Sequence, residues 1–430
     1  MLSTRKSGVA AAAVLVVALA GCSSSSKSGG STTPTSGPSA APSAGGSTAS
    51  SPGGALKTIK IGVLTDITGP AASGNKTAVD GVKAGAVYAA RQGYKIEYVV
   101  GDTATNPATA LSASQKLVTQ DHVSAVIAVS ALTLGGAPYL TAHNVPVIGA
   151  AQDGAEWQTA KNMFGVTGAI NQTIVTTTLG DFFKSQGVTT VGTLGYGISP
   201  LSAENAKGSA ESARHAGLKV GYVNSNFAFG STDVQPVALG MKKGGVDGFT
   251  SATDPNTSFA LIVALRQAGV DLKVALLPTG YGGDTLQAGP GALTAAQNVY
   301  FGNQYEVMEM NTTATKQFAS DLKDAGITTA PTLAEYHGYA SVGLLVRALK
   351  ADNGNTSAGT LISTLSGIKD WDGLGLFGGR TIDLGDRKSN AGGVDNCLWV
   401  AKLEGSSFRT VPGADPVCGK VIAGVTVSGN

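Results

Sequence analysis

The stretch that decides the fold is KTIKIGVLTDITGPAASGNKTAVDGVKAGAVYAA, residues 57–90. Its first residues alternate β-branched positions with lysine or glycine, a pattern that is typical of a strand. Turn-forming residues follow at 65–70, and apolar residues then recur every three or four positions over 78–89, which predicts a helix. Since ligands of open α/β sheets bind beyond the carboxyl ends of the strands, we expect residues 66–75 to form one wall of a binding cleft.

The same alternation continues along the chain. Further strands and helices follow the first unit, and a second set begins with a predicted helix over 171–186. The last part carries a long predicted helix over 333–351 and hairpin-like strands over 380–384 and 397–403. Strands that alternate with helices favour parallel sheets covered on both faces. The sequence therefore predicts an α/β protein with two doubly wound parallel-sheet lobes.

The N-terminus has the features of an export signal. Two basic residues precede the apolar run 9–20, which is too short to span a bilayer. The run ends in LAGC (19–22), which resembles the lipobox of bacterial lipoproteins, where cleavage precedes a cysteine that then receives the lipid. We interpret residues 1–22 as a lipoprotein signal peptide with lipidation at Cys22. An ordinary secretory signal with an incidental cysteine is the alternative.

A linker follows the signal. Residues 23–55 contain only Ser, Gly, Thr, Pro, Ala and one lysine, so they cannot bury apolar surface. We predict a disordered linker over 23–56 that tethers a globular domain to the outside of the cell membrane through the lipid on Cys22.

Composition excludes several classes of protein. The net charge is +2 without a basic run, so a nucleic-acid partner is not expected. Four scattered histidines, placed mostly on predicted surfaces, give no metal spacing, and no cofactor motif is visible. Neither a P-loop nor a GxSxG nucleophile motif occurs, so we do not expect an enzyme. Cys397 and Cys418 are an even pair in an exported chain, which predicts a disulfide; two buried thiols are the alternative.

Several segments, taken in order, resemble the periplasmic binding proteins of the leucine/isoleucine/valine-binding type, which serve branched-chain amino-acid ABC transporters. These segments are IKIGVLTDITGPAA (59–72), DTATNPATALSASQKLVTQDHVSAVIA (102–128), VPVIGAA (145–151), GVDGFTSATDP (245–255), LRQAG (265–269) and AEYHGYASVGLLVRAL (334–349). The resemblance implies the type I periplasmic binding protein fold, with two lobes joined by a three-crossover hinge. It places lobe one at 57–170 plus 303–374, and lobe two at 171–302 plus 375–430.

The resemblance also implies binding residues in lobe one. Hydroxyls and backbone N–H groups of 130–133 and 150–153 would hold a ligand carboxylate, with Ser130 in the first loop. Thr133 matches a serine position of the family, and Ala151 matches a backbone contact. Asp153, however, stands where relatives carry a neutral hydroxyl residue, and its carboxylate would repel the carboxylate of a ligand.

Lobe two contributes further candidates. Thr279 stands where relatives carry the acid that meets a ligand ammonium, so amides, urea and aromatic acids stay open beside amino acids. Tyr196, Asp254 and Tyr281 follow predicted strands and are cleft candidates for that reason. Tyr196 would cap the ligand or lie in a partly exposed loop. Asp254 would meet a ligand cation or cap the helix that begins near Thr257.

These features predict an extracytoplasmic, lipid-anchored solute-binding protein. It would capture a small polar solute between its lobes and present it, as a monomer, to the permease subunits of an ABC importer. A sensory receptor of the same fold that signals to a membrane partner is the alternative, and a secreted hydrolase has less support.

Overall fold

The computed structural model describes residues 55–286 and 288–429. The predicted signal peptide, Cys22 and nearly all of the predicted linker lie outside the described residues.

The first lobe is built on a parallel sheet of five strands in the order β2-β1-β3-β4-β5. The strands are β1 (Lys57–Thr65), β2 (Tyr94–Asp102), β3 (Ala125–Val129), β4 (Val147–Gly149) and β5 (Met163–Gly165). Helices from the first part of the chain are α1 (Ala72–Asn75), α2 (Ala78–Arg91), α3 (Pro107–Thr119), α4 (Ala137–Ala142) and α5 (Glu156–Thr159). Every residue of β3 is buried, as expected for a parallel strand covered on both faces.

The second lobe is built on a larger sheet. Its strands run in the order β13-β12-β11-β10-β9-β7-β8, with β14 beside β12, while β6 pairs with β15. The strands are β6 (Ile174–Thr176), β7 (Thr190–Tyr196), β8 (Lys219–Phe227), β9 (Gly248–Ala252), β10 (Val274–Leu277), β11 (Tyr300–Asn303), β12 (Cys397–Glu404), β13 (Ser407–Thr410), β14 (Val417–Cys418) and β15 (Val421–Thr426). Helices are α6 (Thr178–Ser185), α7 (Pro200–His215), α8 (Gln235–Lys243), α9 (Pro255–Gln267), α10 (Gly283–Leu286) and α11 (Pro290–Ala295).

Three later helices return to the first lobe: α12 (Thr313–Asp324), α13 (Leu333–Ala351) and α14 (Ala358–Gly367). A capping box between Thr332 and Glu335 starts α13, because each residue satisfies a backbone N–H of the other. Helices α2 and α13 cross with their backbones in contact: a Cβ on Gly81 would lie 2.2 Å from the carbonyl oxygen of Glu335. Only glycine permits that approach, and it closes the helical layer over β3 and β4.

The chain passes between the two sheets three times: after β5, after β11 and before β12. Trp371 lies at the last crossing, where its indole N–H donates to the carbonyl of Val166 over 2.9 Å. Asn390 donates to the carbonyl of Thr167 over 3.1 Å. The crossing strands are therefore tied to one another as well as to the lobes.

Two predicted elements differ from the structure. The predicted helix over 171–186 begins only at Thr178, because residues 174–176 form β6 and pair with the remote strand β15. The predicted strand over 380–384 is not a strand; Ile382 makes an isolated bridge to Trp371. Arg387, in the same segment, donates to the carbonyl of Met163 over 2.6 Å. The lobe boundary at 374/375 stays a prediction. Part of the segment that follows it, which contains Ile382 and Arg387, contacts the first lobe.

The two C-terminal cysteines, Cys397 and Cys418, form a disulfide in the structure. It joins the start of β12 to β14, which pair in antiparallel register. The chain then leaves as β15 along β6, so the C-terminal segment is fixed to the second lobe at two places.

Candidate functional site: a cavity between the lobes

A cavity of about 310 Å³ lies between the lobes, where the carboxyl ends of their parallel strands meet. The first lobe contributes small residues and two amides to its wall: Ala71, Gly74, Asn75, Ala131, Ala151 and Gln152. The second lobe contributes polar and aromatic side chains: Tyr196, Ser199, Phe229, Thr253, Asp254 and Thr279. Pockets for small molecules begin at about 300 Å³, so the cavity suits a solute of modest size.

Asp66, directly after β1, organises the wall of the first lobe. It is fully buried, and its carboxylate accepts hydrogen bonds from the Ser130 hydroxyl over 2.8 Å and the Ala131 N–H over 2.9 Å. The Asn75 amide donates over 2.8 Å, and the Thr103 hydroxyl also donates. One carboxylate thus joins the loops that follow three strands. Because its hydroxyl is used in this way, Ser130 lies behind the wall and does not line the cavity.

Thr133 and Asp153 are also turned away from the cavity. The Thr133 hydroxyl donates to a backbone carbonyl of its own loop over 3.3 Å. The Asp153 carboxylate accepts from the Leu134 N–H over 2.7 Å and from the indole N–H of Trp157 over 2.9 Å. Burial, and then the nearby Glu156, raise the pKa of Asp153 well above its ordinary value. Because the Asp153 carboxylate is turned away from the cavity, it is not placed to repel a ligand carboxylate as expected.

Tyr196 and Asp254 lie together on the wall of the second lobe. Asp254 caps α9, since its carboxylate accepts from the Thr257 N–H over 3.1 Å and the Thr257 hydroxyl over 2.9 Å. The Tyr196 hydroxyl donates to the same carboxylate. Burial, and then the charge of Asp254, raise the pKa of Tyr196. The ring of Tyr196 lies 4.5 Å from that of Phe229, centroid to centroid, so both rings form an aromatic wall.

The two remaining candidates of the second lobe have different places. Thr279 lines the cavity, although its hydroxyl donates to the carbonyl of Thr253 over 2.9 Å. Tyr281 does not line it; its hydroxyl donates to Glu309 over 2.7 Å and accepts from the Met308 N–H over 3.0 Å. Tyr281 therefore packs at the hinge side of the lobe.

Ala151 lines the cavity through the loop after β4. Its backbone N–H has no acceptor among the described residues, so it is a donor that a ligand can use. The neighbouring Gln152 also lines the cavity and donates weakly to Asn75 over 3.4 Å. The first lobe thus offers neutral hydrogen-bonding groups.

Two cavity residues at the hinge, Gln304 and His337, were not predicted from the sequence. Gln304 follows β11 at the second crossing, and its amide has no hydrogen-bond partner within the described part of the chain. The sequence placed the histidines mostly on surfaces, but His337 is buried on α13, and its Nδ1 lies 3.1 Å from the Tyr305 hydroxyl. Burial lowers the pKa of His337 to about 4, so the ring is neutral at pH 7. Helical periodicity alone placed His337 on the helix and gave no signal for the cavity.

The cavity continues along one face of α7. Leu201, Asn205, Gly208 and Ser212 line it at spacings of three and four residues, which is one side of a helix. At 1.5 Å per residue this stripe is about 16 Å long. Its small side chains leave a slot beside the segment that contains β6. The cavity is therefore elongated.

The lobes touch each other around the cavity. The backbone carbonyl of Asp153 accepts from the Ser199 hydroxyl over 3.0 Å and from the Leu201 N–H over 3.3 Å. On another side, a Cβ on Gly74 would lie 3.2 Å from Pro255 of α9. Contacts of this kind belong to a closed arrangement of the two lobes.

Other kinds of site have no support in the described residues. Within 55–286 and 288–429, no group of three or more His, Cys, Asp or Glu side chains is arranged to hold a metal ion. Within the same ranges, no helix combines the length and the apolar character needed to cross a bilayer.

Solved structures share this architecture. The substrate-binding protein LivJ of the branched-chain amino acid transporter from Streptococcus pneumoniae, in complex with isoleucine, is 22% identical and superposes with a TM-score of 0.66, covering 83% of this chain and 99% of its own. The leucine-binding protein LivK from Thermotoga maritima is 17% identical with a TM-score of 0.68, covering 82% and 97%. An ABC-transporter solute-binding protein from R. palustris, in complex with 4-hydroxybenzoate, is 17% identical with a TM-score of 0.66, covering 87% and 98%.

These identities establish the fold and leave the ligand open. No curated protein matches the sequence significantly. Residues 58–407, however, match the sequence profile of the family described as periplasmic binding protein. This range includes all three crossings, nearly all of the first lobe and the second lobe up to the start of β13. The chain therefore belongs to the periplasmic binding protein family, with its type I fold.

Proposed function

We propose that this protein is a lipid-anchored extracytoplasmic receptor that captures a small polar solute between its lobes and delivers it to an ABC importer. The observation that carries the proposal is the cavity of about 310 Å³ lined by both lobes, which touch around it. A solute that contacts both walls stabilises the closed arrangement over an open one, and closure is the signal that a permease can read. No catalytic step is part of this proposal.

Ligand capture is tested by native mass spectrometry of the purified protein, followed by thermal-shift screening of solutes and small-angle scattering with each hit. A ligand at a hundred times its Kd adds about 2.7 kcal/mol to stability, so a hit raises the melting temperature and reduces the radius of gyration. A protein that binds no solute and never compacts would contradict the proposal.

A pair of glycine variants separates closure from general damage. Gly74→Trp places an indole against Pro255 across the cavity, so we expect it to lose binding and compaction. Gly367→Trp is the control: Gly367 is exposed at the end of α14, and no atom lies within 4 Å of the point where its Cβ would be. Equal binding by both variants would show that the solute does not occupy this cavity.

The anchor and the partner need separate tests. We expect the natural chain to enter the membrane fraction and to incorporate a fatty-acid label, and Cys22→Ser to lose both. Equal labelling of the two chains would exclude Cys22 as the lipid site. Permease and ATPase genes beside this gene would support import, whereas a neighbouring kinase or cyclase gene would favour the sensory alternative.

A further inference from the structure

The cavity wall carries almost no charge. No lysine or arginine is among its lining residues in the described part of the chain, and Asp254 is the only lining carboxylate. His337, the one lining imidazole there, is neutral at pH 7 because burial lowers its pKa to about 4. The hydroxyls of Ser130 and Thr133, which the family resemblance assigned to a ligand carboxylate, do not line the cavity either. A ligand carboxylate would thus give up its hydration without meeting a cation or these hydroxyls.

Asp254 is itself engaged by the protein. Its carboxylate already accepts the Thr257 N–H, the Thr257 hydroxyl and the Tyr196 hydroxyl. These bonds hold the carboxylate in place, and they leave it fewer free lone pairs for a ligand ammonium. Its negative charge still opposes an anionic ligand across the narrow cavity.

The groups that remain available are neutral donors and acceptors. The Ala151 N–H and the Gln304 amide have no hydrogen-bond partner among the described residues. Apolar residues cover the adjoining walls, including Ile170, Leu201 and Phe229. A neutral carbonyl would accept from Ala151, and a neutral N–H or O–H would donate to the Gln304 oxygen, without an uncompensated charge.

We propose that the ligand of this cavity is an uncharged solute, of the carboxamide or hydroxyl type with an apolar body, rather than a zwitterionic amino acid or a carboxylate. The inference rests on the proposed function, since it concerns the same cavity. It follows from the absence of a cation among the described lining residues and from the three protein hydrogen bonds that the Asp254 carboxylate already accepts.

Compounds of similar shape that differ in charge test the proposal. Isothermal titration would compare 4-methylpentanamide with 4-methylpentanoate, leucinamide and leucine, and 4-hydroxybenzamide with 4-hydroxybenzoate. We expect the neutral amide to bind at least tenfold more tightly than its charged counterparts in each set. A carboxylate or zwitterion that binds more tightly than its amide would overturn the proposal.

A gain of charge at the wall provides the matched variants. Gln304→Lys adds a cation without breaking a hydrogen bond to a described residue. We therefore expect the affinity for 4-hydroxybenzoate, relative to that for 4-hydroxybenzamide, to rise at least tenfold. Gln304→Met keeps a side chain of similar length without charge, and we expect it to leave the ratio within threefold. The same ratio in both variants would show that the charge of the wall does not set the preference.

Native mass spectrometry of the protein after incubation with a mixture of all these compounds completes the test. Capture of a neutral compound supports the proposal, and capture of a charged one overturns it while the binding function stands. If the protein captures nothing from this mixture or from a cell extract, the proposed function fails, and the ligand class fails with it.

Discussion

Replacement of Asp66 by alanine is the sharpest test of how the first-lobe wall is held. The variant removes the acceptor of four hydrogen bonds at a fully buried position. The Asn75 side chain is only partly buried and can turn to water, so its loss costs little. The hydroxyls of Thr103 and Ser130 lie 3.3 Å apart and can pair with each other.

Two donors then lose their acceptor: the N–H of the half-buried Ala131 and one of those hydroxyl groups, both of which are fully buried. Each unsatisfied group costs about 1–3 kcal/mol, and the space left by the carboxylate adds to this cost. We expect Asp66→Ala to lower the free energy of unfolding by about 3–5 kcal/mol. Asp66→Asn keeps one oxygen for Ala131, and its NH₂ group can donate to the two hydroxyls once they rotate. We expect it to cost only about 1–2 kcal/mol.

Urea unfolding followed by circular dichroism measures both values, and Asp271→Ala is the control. Asp271 is exposed and makes no hydrogen bond to a described residue, so its loss should change stability by less than about 0.5 kcal/mol. The reasoning is refuted if Asp66→Ala costs less than 1 kcal/mol, or if Asp66→Asn costs as much as Asp66→Ala.

Three further outcomes follow from other parts of the structure. Burial raises the pKa of Glu335 to about 7, so the folded state binds more protons than the unfolded state from pH 4.5 to 7. The free energy of unfolding should therefore fall by up to about 3 kcal/mol as the pH rises across that window. In urea melts, Glu335→Gln should flatten this dependence of stability on pH. Gly208→Ala should add about 0.5–1 kcal/mol, because its Cβ has ordinary contacts from 3.7 Å. Gly180→Ala should instead destabilise the protein by about 1–3 kcal/mol, because its Cβ would lie 2.2 Å from a backbone oxygen. If the two glycine variants shift the melting temperature equally, both values are contradicted. Replacing both Cys397 and Cys418 by alanine should lower the free energy of unfolding by about 3 kcal/mol, because the disulfide closes a loop with a 21-residue separation. A decrease of less than about 1 kcal/mol would mean that the disulfide adds little.

Elements with strong local periodicity were predictable from the sequence. The helix predicted over 333–351 has those bounds in the structure, and the strand predicted at the start of residues 57–90 is β1. The predicted helix over 171–186 failed at its first residues because β6 exists through pairing with β15, which is remote in sequence. Local pattern carries no information about such a partner.

The candidate site was predictable to the extent that it follows strand ends. That rule brought Tyr196 and Asp254 to the cavity wall, but it also named Tyr281, which does not line the cavity. The family resemblance brought Ala151 and Thr279 to the same wall. It did not give the direction of the side chains of 130, 133 and 153, which depends on partners such as Asp66 and Trp157. Residues at the hinge, which follow no common pattern, were missed for the same reason: their place is set by tertiary packing.

The tryptophans determine which optical signal this protein can give. The chain has three, Trp157, Trp371 and Trp399, and each is at most 1% exposed. None is a lining residue of the cavity, and Trp371 is bonded to the first crossing strand through Val166. Intrinsic fluorescence should therefore start from a blue-shifted emission and should report rearrangement of the hinge, not direct contact between a solute and an indole. A quenching assay would need a tryptophan introduced at the cavity wall, and Phe229 is the natural position for it.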